Sequence, residues 1–279
     1  MSRSRFVRQS FLILCSVIIV SFANISLSSE YEPYVGQEGK DVIWVPTCQV
    51  LVDQMLNMAK VTSEDYLIDL GSGDGRLVIT AAKRGARALG IEYNPDMVDL
   101  SRQNAAKEGV SDKAQFVQAD IFASDFSQAT VITMFLLESI NRKLRPKILD
   151  LKPGTRIVSN TFTMGEWKAD QTFDVDDPRN CSNYSTAYLW IVPAKVEGVW
   201  SLPQGSLALN QTFQTFSGTL KSGVNLLAVT DGKLNGDLIR FSVGNDRYNG
   251  RVSGNTMEGT YESGRRTIPW RATKLGKGS

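Results

Sequence analysis

The chain contains no histidine and only three cysteines among its 279 residues. Without histidine it can form neither a histidine-based catalytic triad nor a histidine metal site. The cysteines, Cys15, Cys48 and Cys181, lack the close spacing of a thiolate zinc site, so we predict no metal centre. We expect Cys48 and Cys181 to be two free buried thiols; a disulfide between them is the alternative in an oxidising compartment.

The chain also lacks a strong excess of one charge: 31 Lys and Arg stand against 29 Asp and Glu. Three basic residues, Arg3, Arg5 and Arg8, lie in the N-terminal segment. Without them, the chain has 28 basic and 29 acidic residues. This near-neutral balance gives no electrostatic reason to expect a nucleic-acid partner.

No apolar run reaches the ~20 residues that a helix needs to cross a bilayer. The longest, from Phe11 to Ala23, follows the three arginines, and no acidic residue precedes Glu30. This pattern predicts a signal peptide or N-terminal membrane anchor over residues 1–29. We therefore expect an exported or membrane-anchored protein, in the periplasm or at the membrane, and the segment is a possible source of membrane association.

Strand-like and helix-like stretches alternate from Tyr66 to Pro193, which predicts βαβ units and a parallel sheet. The predicted strands are Tyr66–Leu70, Arg87–Glu92, Ala114–Gln118, Thr130–Phe135, Thr155–Asn160, Thr172–Val175 and Thr186–Val192. The predicted helices are Asp74–Arg84, Pro95–Glu108 and Glu138–Leu151, the last interrupted at Pro146, after an earlier helix from Cys48 to Lys60 with Thr47 as its N-cap. The fold class is α/β, a doubly wound, mostly parallel seven-stranded Rossmann-like sheet.

After Pro193 the sequence changes to short alternating strands punctuated by glycines, typical of an antiparallel meander. We predict a small all-β domain, a barrel or a sandwich, over residues 196–279, behind an α/β domain over residues 30–195. The predicted strands are 198–200, 207–216, 226–229, 238–243, 248–252, 257–261 and 270–273.

The stretch from Asp69 to Arg76 reads DLGSGDGR and joins the first predicted strand to the following helix. Its alternating glycines permit backbone angles and close approaches that a Cβ would prevent. A dinucleotide loop would read Gly-x-Gly-x-x-Gly, whereas this loop is Gly-x-Gly-x-Gly. It carries two acids, Asp69 and Asp74, which would repel a pyrophosphate but suit a ligand with a cationic amine and a sulfonium. Glu92 ends the second strand and Asp120 follows the third, so these acids meet at one edge of the sheet.

These residues resemble a family. DLGSGDGR, GIEYNP at 90–95 and QAD at 118–120 are similar to a class I S-adenosylmethionine-dependent methyltransferase with a seven-stranded sheet. WVPT at 44–47, ATVITMFLLESINRKLRPKI at 129–148 and LKPGTRIVSNTFTMGEW at 151–167 are similar to protein-lysine methyltransferases of the adenine nucleotide translocase and ATP synthase c-subunit type and their bacterial relatives. The resemblance covers about residues 44–193.

The resemblance implies S-adenosyl-L-methionine as cofactor and a lysine of a protein as acceptor. The implied cofactor-binding residues are Asp69, Gly71, Ser72, Gly73, Gly75, Glu92, Asp120 and Ile121. The implied acceptor-channel residues are Trp44, Pro46, Thr47, Met134, Phe135 and Leu136. Asn141 and Arg145 are expected on a solvated helix face and are given no catalytic role.

Two other interpretations stay open from the sequence. A small-molecule or lipid methyltransferase would use the same cofactor site. An exported, non-catalytic binding or assembly protein would explain why a leader precedes a fold whose cofactor is made in the cytosol.

Overall fold

The computed structural model describes residues 31–176, 181 and 184–276. The predicted leader over residues 1–29 therefore lies outside the described residues and stays a prediction. The described residues from Pro33 onward form one compact unit. Among the residues that the structure describes, no helix combines the length and the apolar character required to cross a bilayer.

A mixed seven-stranded sheet carries the first part of the fold, in the order β3-β2-β1-β4-β5-β7-β6. The first five strands are parallel, whereas β7 is antiparallel to β5 and β6 is antiparallel to β7. The seven strands are β1 Tyr66–Leu70, β2 Arg87–Glu92, β3 Ala114–Gln118, β4 Val131–Met134, β5 Arg156–Asn160, β6 Gln171–Asp174 and β7 Thr186–Ile191. The predicted α/β fold class is confirmed.

Four helices cover this sheet in the described part of the chain: α1 Gln49–Met58, α2 Arg76–Lys83, α3 Pro95–Lys107 and α4 Glu138–Leu149. Side chains of one strand alternate between the two faces, so Leu67 packs in the core with α1, α2 and α3 while Ile68 packs in the core with α4. Because both faces are covered, the central strands are mainly apolar, and polar side chains such as Asp69 and Thr133 are buried near their carboxyl ends. Ligand-binding groups are therefore confined to the strand ends and loops.

Two predictions about the helices are wrong. The predicted break at Pro146 does not occur, because α4 continues to Leu149 with Pro146 inside it. Thr47 does not cap α1; Cys48 is the N-cap residue and makes no side-chain cap bond. The Thr47 hydroxyl instead accepts a hydrogen bond from Asn160 Nδ2 at 3.2 Å, and its carbonyl accepts one from Arg76 Nη1 at 2.7 Å. Thr47 thus joins the segment before α1 to two other parts of the fold.

A closed antiparallel barrel of eight strands follows the sheet. Its strands are β8 Gly198–Leu202, β9 Gly205–Thr212, β10 Thr215–Ser222, β11 Asn225–Asn235, β12 Leu238–Val243, β13 Asp246–Ser253, β14 Thr256–Ser263 and β15 Arg266–Lys274. Pairing of β15 with β8 closes the barrel around an apolar core that includes Trp200 and Trp270. The predicted all-β domain is confirmed as a barrel, while its predicted boundary near residue 195 stays a prediction.

The predicted strand over residues 207–216 is wrong, because two strands, β9 and β10, occupy it. They are joined at Phe213 and Gln214, where Phe213 has a positive φ of 53°. The ring of Phe213 stacks on Trp167 at 5.9 Å, and Gln214 Nε2 donates to Lys168 O at 2.8 Å. The turn is therefore stabilised by contacts with the sheet part of the molecule that a local pattern does not contain.

Cys48 and Cys181 form a disulfide, with their Cα atoms 5.3 Å apart. The prediction of two free buried thiols is wrong: both cysteines border the same core, but 133 residues of sequence separate them, so local sequence did not place them together. The bridge links the N-cap residue of α1 to the segment preceding β7.

We predict that removing this bridge lowers the free energy of unfolding by about 2–4 kcal/mol, because closing a long loop restricts the unfolded chain. Denaturant unfolding of the Cys48→Ser plus Cys181→Ser double variant, beside Cys15→Ser as the control, measures this. Alkylation of the unreduced, denatured wild-type chain should leave Cys48 and Cys181 unlabelled. Labelling of both would contradict the bridge.

Candidate active site

Asp69, the penultimate residue of β1, is a buried carboxyl group at the edge where the parallel strands end. Thr133 of the neighbouring strand β4 donates its hydroxyl to Asp69 Oδ1 at 2.7 Å. Burial raises the pKa of Asp69 to about 7, and the nearby carboxylates of Glu92 and Asp74 act in the same direction against the Thr133 hydrogen bond. A buried carboxyl group with a raised pKa in a cleft is typical of a functional site.

The loop after β1 brings the protein backbone into the cleft. Gly73 has a positive φ of 54°, and a Cβ added there would lie 2.7 Å from Nε1 of Trp44. A side chain at this position would therefore displace Trp44, one wall of the cleft. Gly71 and Ser72 also line the cleft, and the buried Ser72 Oγ makes no hydrogen bond to the described residues.

Gly75, the last glycine of the loop, packs closely against other parts of the fold. It does not line the cleft; it precedes α2, and a Cβ there would lie 2.7 Å from the ring of Phe116 and 2.9 Å from Ser101. This glycine therefore permits close packing of α2 against β3 and α3. Its predicted part in cofactor binding stays a prediction.

Glu92 ends β2 and is held by three backbone amides. Its Oε2 accepts from Gly73 N at 3.0 Å, and its Oε1 accepts from Tyr93 N at 2.9 Å and Asn94 N at 3.0 Å. The carboxylate is therefore fixed against the glycine loop before any ligand binds. Its lone pairs that accept no hydrogen bond from these amides have a fixed direction as a result.

Asp120, after β3, forms an ion pair with Lys40 at 2.6 Å and accepts from Phe122 N at 2.8 Å. The hydrogen bond from Lys40 holds the pKa of Asp120 below its usual range. Lys40 also lies 4.7 Å from the ring centre of Tyr93. The segment before α1 thus reaches across the cleft to residues expected to bind the cofactor; Asp120 and Ile121 both line it.

Asp74 is not a free acid of the loop. Arg76 binds its carboxylate through Nε at 3.0 Å and Nη2 at 2.5 Å, and the same guanidinium reaches Thr47 O. The charge of Asp74 is therefore largely compensated. Of the acids on the glycine loop and the strand ends, Asp69 and Glu92 remain without a cationic partner among the described residues.

The other end of the cleft is apolar. Of the residues predicted for the acceptor channel, Trp44, Pro46, Thr47, Phe135 and Leu136 line the cleft, with Trp44 next to Gly73 and Leu136 next to Gly71. Met134 does not: it is fully buried in the core beneath α4. Alternation of side chains along the strand explains this, because the side chain of Met134 points toward the face of the sheet that α4 covers.

Sequence reasoning missed two aromatic residues of this end. Phe162 follows β5, and Tyr184 precedes β7, which runs antiparallel and so begins where the parallel strands end. Phe135 lies 6.1 Å from Phe162 and 5.2 Å from Tyr184, between ring centres, and Phe162 lies 6.4 Å from Tyr184. The strand-end rule that located the acids would have found both rings at β5 and β7.

Asn141 supports this aromatic group from α4. It is fully buried, and its Nδ2 donates to the carbonyls of Phe162 and Thr163, each at 3.1 Å. Arg145, one turn on, donates to the Met164 carbonyl at 2.6 Å. The prediction of a solvated face is therefore wrong for these two side chains, because the loop after β5 packs over the helix.

The whole cleft has a volume of about 510 Å³. Two unneutralised carboxyl groups and a glycine loop lie at one end, and half-buried aromatic rings lie at the other. S-adenosylmethionine fits these carboxyl groups, because it combines a cationic amine and a sulfonium with ribose hydroxyls that need hydrogen-bond acceptors. In the described part of the chain no group of three or more metal-ligating side chains is present.

Comparison with known proteins agrees with this geometry. The ANTKMT methyltransferase domain model matches residues 69–171. A protein-lysine N-methyltransferase of Saccharolobus islandicus is 42% identical over 154 residues, covering 54% of this chain and 94% of that protein. The chain belongs to the ANTKMT methyltransferase family. The methyltransferase thus uses S-adenosylmethionine as its cofactor, and the predicted activity and cofactor are confirmed.

Two further relatives name different acceptors. A lysine N-methyltransferase of the ATP synthase c-subunit, from Rattus norvegicus, is 31% identical, covering 55% of this chain and 72% of that protein. A solved structure described as an RNA methyltransferase from Salinibacter ruber, in complex with S-adenosyl-L-homocysteine, is 47% identical with a TM-score of 0.51. It covers 55% of this chain and 96% of that chain. The names of these relatives therefore agree on the transfer of a methyl group but differ in the acceptor of that group.

We predict that the affinity of the methyltransferase for its cofactor falls as pH drops below about 7, up to tenfold per pH unit. Protonation of Asp69 removes a negative charge from the cleft and so weakens its attraction for the cationic amine of S-adenosylmethionine. Calorimetric titration with S-adenosylmethionine at several pH values measures this. Asp69→Asn should bind weakly with little pH dependence, whereas the exposed Asp125→Asn should behave as the wild type.

Unfolding measurements complete this test. Since folding raises the pKa of Asp69, its contribution to stability is fully present below the unfolded pKa of about 3.9 and is lost as pH rises through about 7. At pH 8 we expect Asp69→Asn to be the more stable free protein. Weaker binding together with lower stability at pH 8 would indicate damage to the fold instead.

Proposed function

We propose that the methyltransferase transfers its methyl group to the ε-amine of a lysine in a protein. The observation that carries this proposal is the group of three aromatic rings, Phe135, Phe162 and Tyr184, at the apolar end of the cleft. The names of the relatives from Saccharolobus islandicus and Rattus norvegicus support it.

The three rings suit a lysine side chain physically. A long aliphatic stem gains from apolar burial, and desolvation lowers the pKa of the amine, which favours the neutral, nucleophilic form. The faces of aromatic rings also stabilise a methylated ammonium product. When bound, the cofactor supplies an activated methyl group on sulfur. The residues of the chain then have to hold the amine about 3–3.5 Å from the methyl carbon and exclude water. We assign no general base.

An RNA acceptor is less well supported, although the Salinibacter ruber structure carries that description. Over residues 33–193, which contain the sheet and cleft, 21 acidic residues outnumber 17 basic ones. Binding to a phosphate backbone requires the opposite balance. A small-molecule or lipid acceptor could also use an apolar channel, but the relatives from Saccharolobus islandicus and Rattus norvegicus are named for lysine acceptors.

Labelled methyl groups identify the acceptor. A cell extract is incubated with the full chain and S-adenosylmethionine carrying a labelled methyl, and the products are separated into protein, RNA and lipid fractions. We expect label in protein, and mass spectrometry should place it on lysine Nζ. Label confined to RNA or lipid would overturn the proposal without affecting the cofactor site.

We predict that Phe162→Ala lowers kcat/KM for the protein acceptor by about tenfold, because one aromatic contact with the amine is removed. Affinity for the cofactor should be unchanged, since Phe162 lies at the opposite end of the cleft from Asp69. The exposed Phe173→Ala on the edge strand β6 is the matched control. Equal loss in both variants, or loss of cofactor affinity, would argue against an acceptor channel here.

A second proposal concerns the compartment. The predicted leader over residues 1–29 and the Cys48–Cys181 disulfide both favour an oxidising location, outside the cytosol or across a membrane from it. An exported chain would need a cofactor made on the other side of the membrane.

Trapping thiols in intact cells with a membrane-permeant alkylating agent tests the compartment. We expect Cys48 and Cys181 to resist alkylation in the cell, as an oxidised pair, and the folded domain to be cleaved by protease added outside the inner membrane. Alkylation of both cysteines with full protection from protease would place the protein in the cytosol.

A further inference from the structure

The barrel has one end near the sheet and one end far from it. Successive hairpins of an antiparallel barrel alternate between its two ends. The turns at Phe213–Gln214 and at Gly236–Asp237 contact the sheet part: Gln214 donates to Lys168 O, and Gly236 O accepts from Ala194 N at 2.8 Å. The turns at 203–204, 223–224, 244–245 and 264–265 therefore lie at the opposite end, which we call the distal end.

Five hairpins of the barrel share a two-residue loop that begins with a glycine of positive φ, between 55° and 62°. The residue after the glycine is polar in four of them: Asp237, Asn245, Asn255 and Arg265. In the fifth it is Val224. Turn geometry does not explain the valine, because the same turn accepts polar residues elsewhere in the same barrel, and polar residues are the usual choice there.

Val224 is also the most exposed of the large apolar side chains that the structure describes, at 96%. Leu226, two residues further on, is 70% exposed and pairs across the hairpin with Lys221. The two aliphatic side chains protrude at the tip of a hairpin, so they form a convex point and line no groove. A protein interface buries about 1,200–2,000 Å² in total, far more than this tip offers.

Basic side chains surround the same end. Lys221, Arg265 and Arg266 are exposed and form no ion pair among the described residues, and Arg247 is exposed as well; the acids at this end are Asp246 and Glu262. Over residues 198–274, nine basic residues outnumber five acidic ones, the reverse of the sheet part. The molecule is thus polarised, with its basic excess in the barrel.

We propose that the distal end of the barrel binds the surface of an anionic membrane, with Val224 and Leu226 inserted among the lipid headgroups. An aliphatic tip within a basic rim matches such a surface, because apolar insertion and attraction to anionic lipids act together in peripheral binding. This binding is independent of the leader and of the acceptor's identity. It would hold the acidic sheet part, with its cleft, on the side of the barrel away from the lipid.

Co-sedimentation of the full chain with vesicles tests this proposal. Vesicles of equal parts phosphatidylcholine and phosphatidylglycerol are compared with vesicles of phosphatidylcholine alone. The test variant is Val224→Asn plus Leu226→Thr; the first change gives the loop a polar residue like those of the other four turns, and the second removes the exposed leucine of β11. The matched control is Val199→Thr plus Leu238→Thr, which removes two aliphatic side chains that are also exposed on the barrel but lie toward its other end.

We expect the wild type to bind the anionic vesicles, and the test variant to bind about tenfold more weakly, because two inserted aliphatic side chains are lost. The matched control should bind as the wild type. Charge reversal at Lys221, Arg265 and Arg266 to Glu should weaken binding more than the same reversal at the exposed Lys113, Lys143 and Lys152. Every variant keeps residues 1–29, so any contribution of that segment to vesicle binding is the same in all of them.

Absence of vesicle binding, or equal binding by the test variant and its control, would overturn the proposal. Methyl transfer by the test variant, measured on a detergent-free soluble protein acceptor, should equal that of the wild type. Failure of the membrane proposal and failure of the acceptor proposal are therefore separate results.

Discussion

The feature on which the site depends is a carboxyl group buried at the end of a strand. Asp69 lies in β1 between β2 and β4, so the sheet removes it from water and only the Thr133 hydroxyl donates to its side chain among the described residues. Burying an ionisable group without a counter-charge is unfavourable, which is why its pKa rises to about 7. A cationic ligand relieves this cost. The free protein thus stores part of the free energy that favours cofactor binding, while Glu92, fixed by three backbone amides, needs no rearrangement.

The sequence predicted this end of the cleft well because its signals are local. β1, β2 and β3 begin and end where their apolar patterns do, and a glycine loop between a buried strand and a helix has few structural alternatives. The placement of Asp69, Glu92 and Asp120 at one edge follows from parallel pairing alone. Local signals do not separate the glycines by role, however: Gly73 faces the cleft, whereas Gly75 faces Phe116.

The features that sequence reasoning missed depend on contacts between distant segments. The Cys48–Cys181 bridge, the burial of Asn141 beneath the loop after β5, and the aromatic group of Phe135, Phe162 and Tyr184 each join parts of the chain that no short pattern relates. The turn at Phe213 is similar, because its stacking on Trp167 joins the barrel to the sheet. Cofactor chemistry is therefore predictable from short motifs, while the arrangement of the three rings is set by the tertiary fold.

The most direct test of this account is a carboxyl-carbon NMR titration of Asp69, assigned by comparison with Asp69→Asn, in the free and cofactor-bound methyltransferase. The account predicts that the pKa of Asp69 lies near 7 in the free protein and falls when S-adenosylmethionine binds. An ordinary pKa near 4 in the free protein, or one that the cofactor leaves unchanged, would contradict the claim that this buried carboxyl group is held for a cationic ligand.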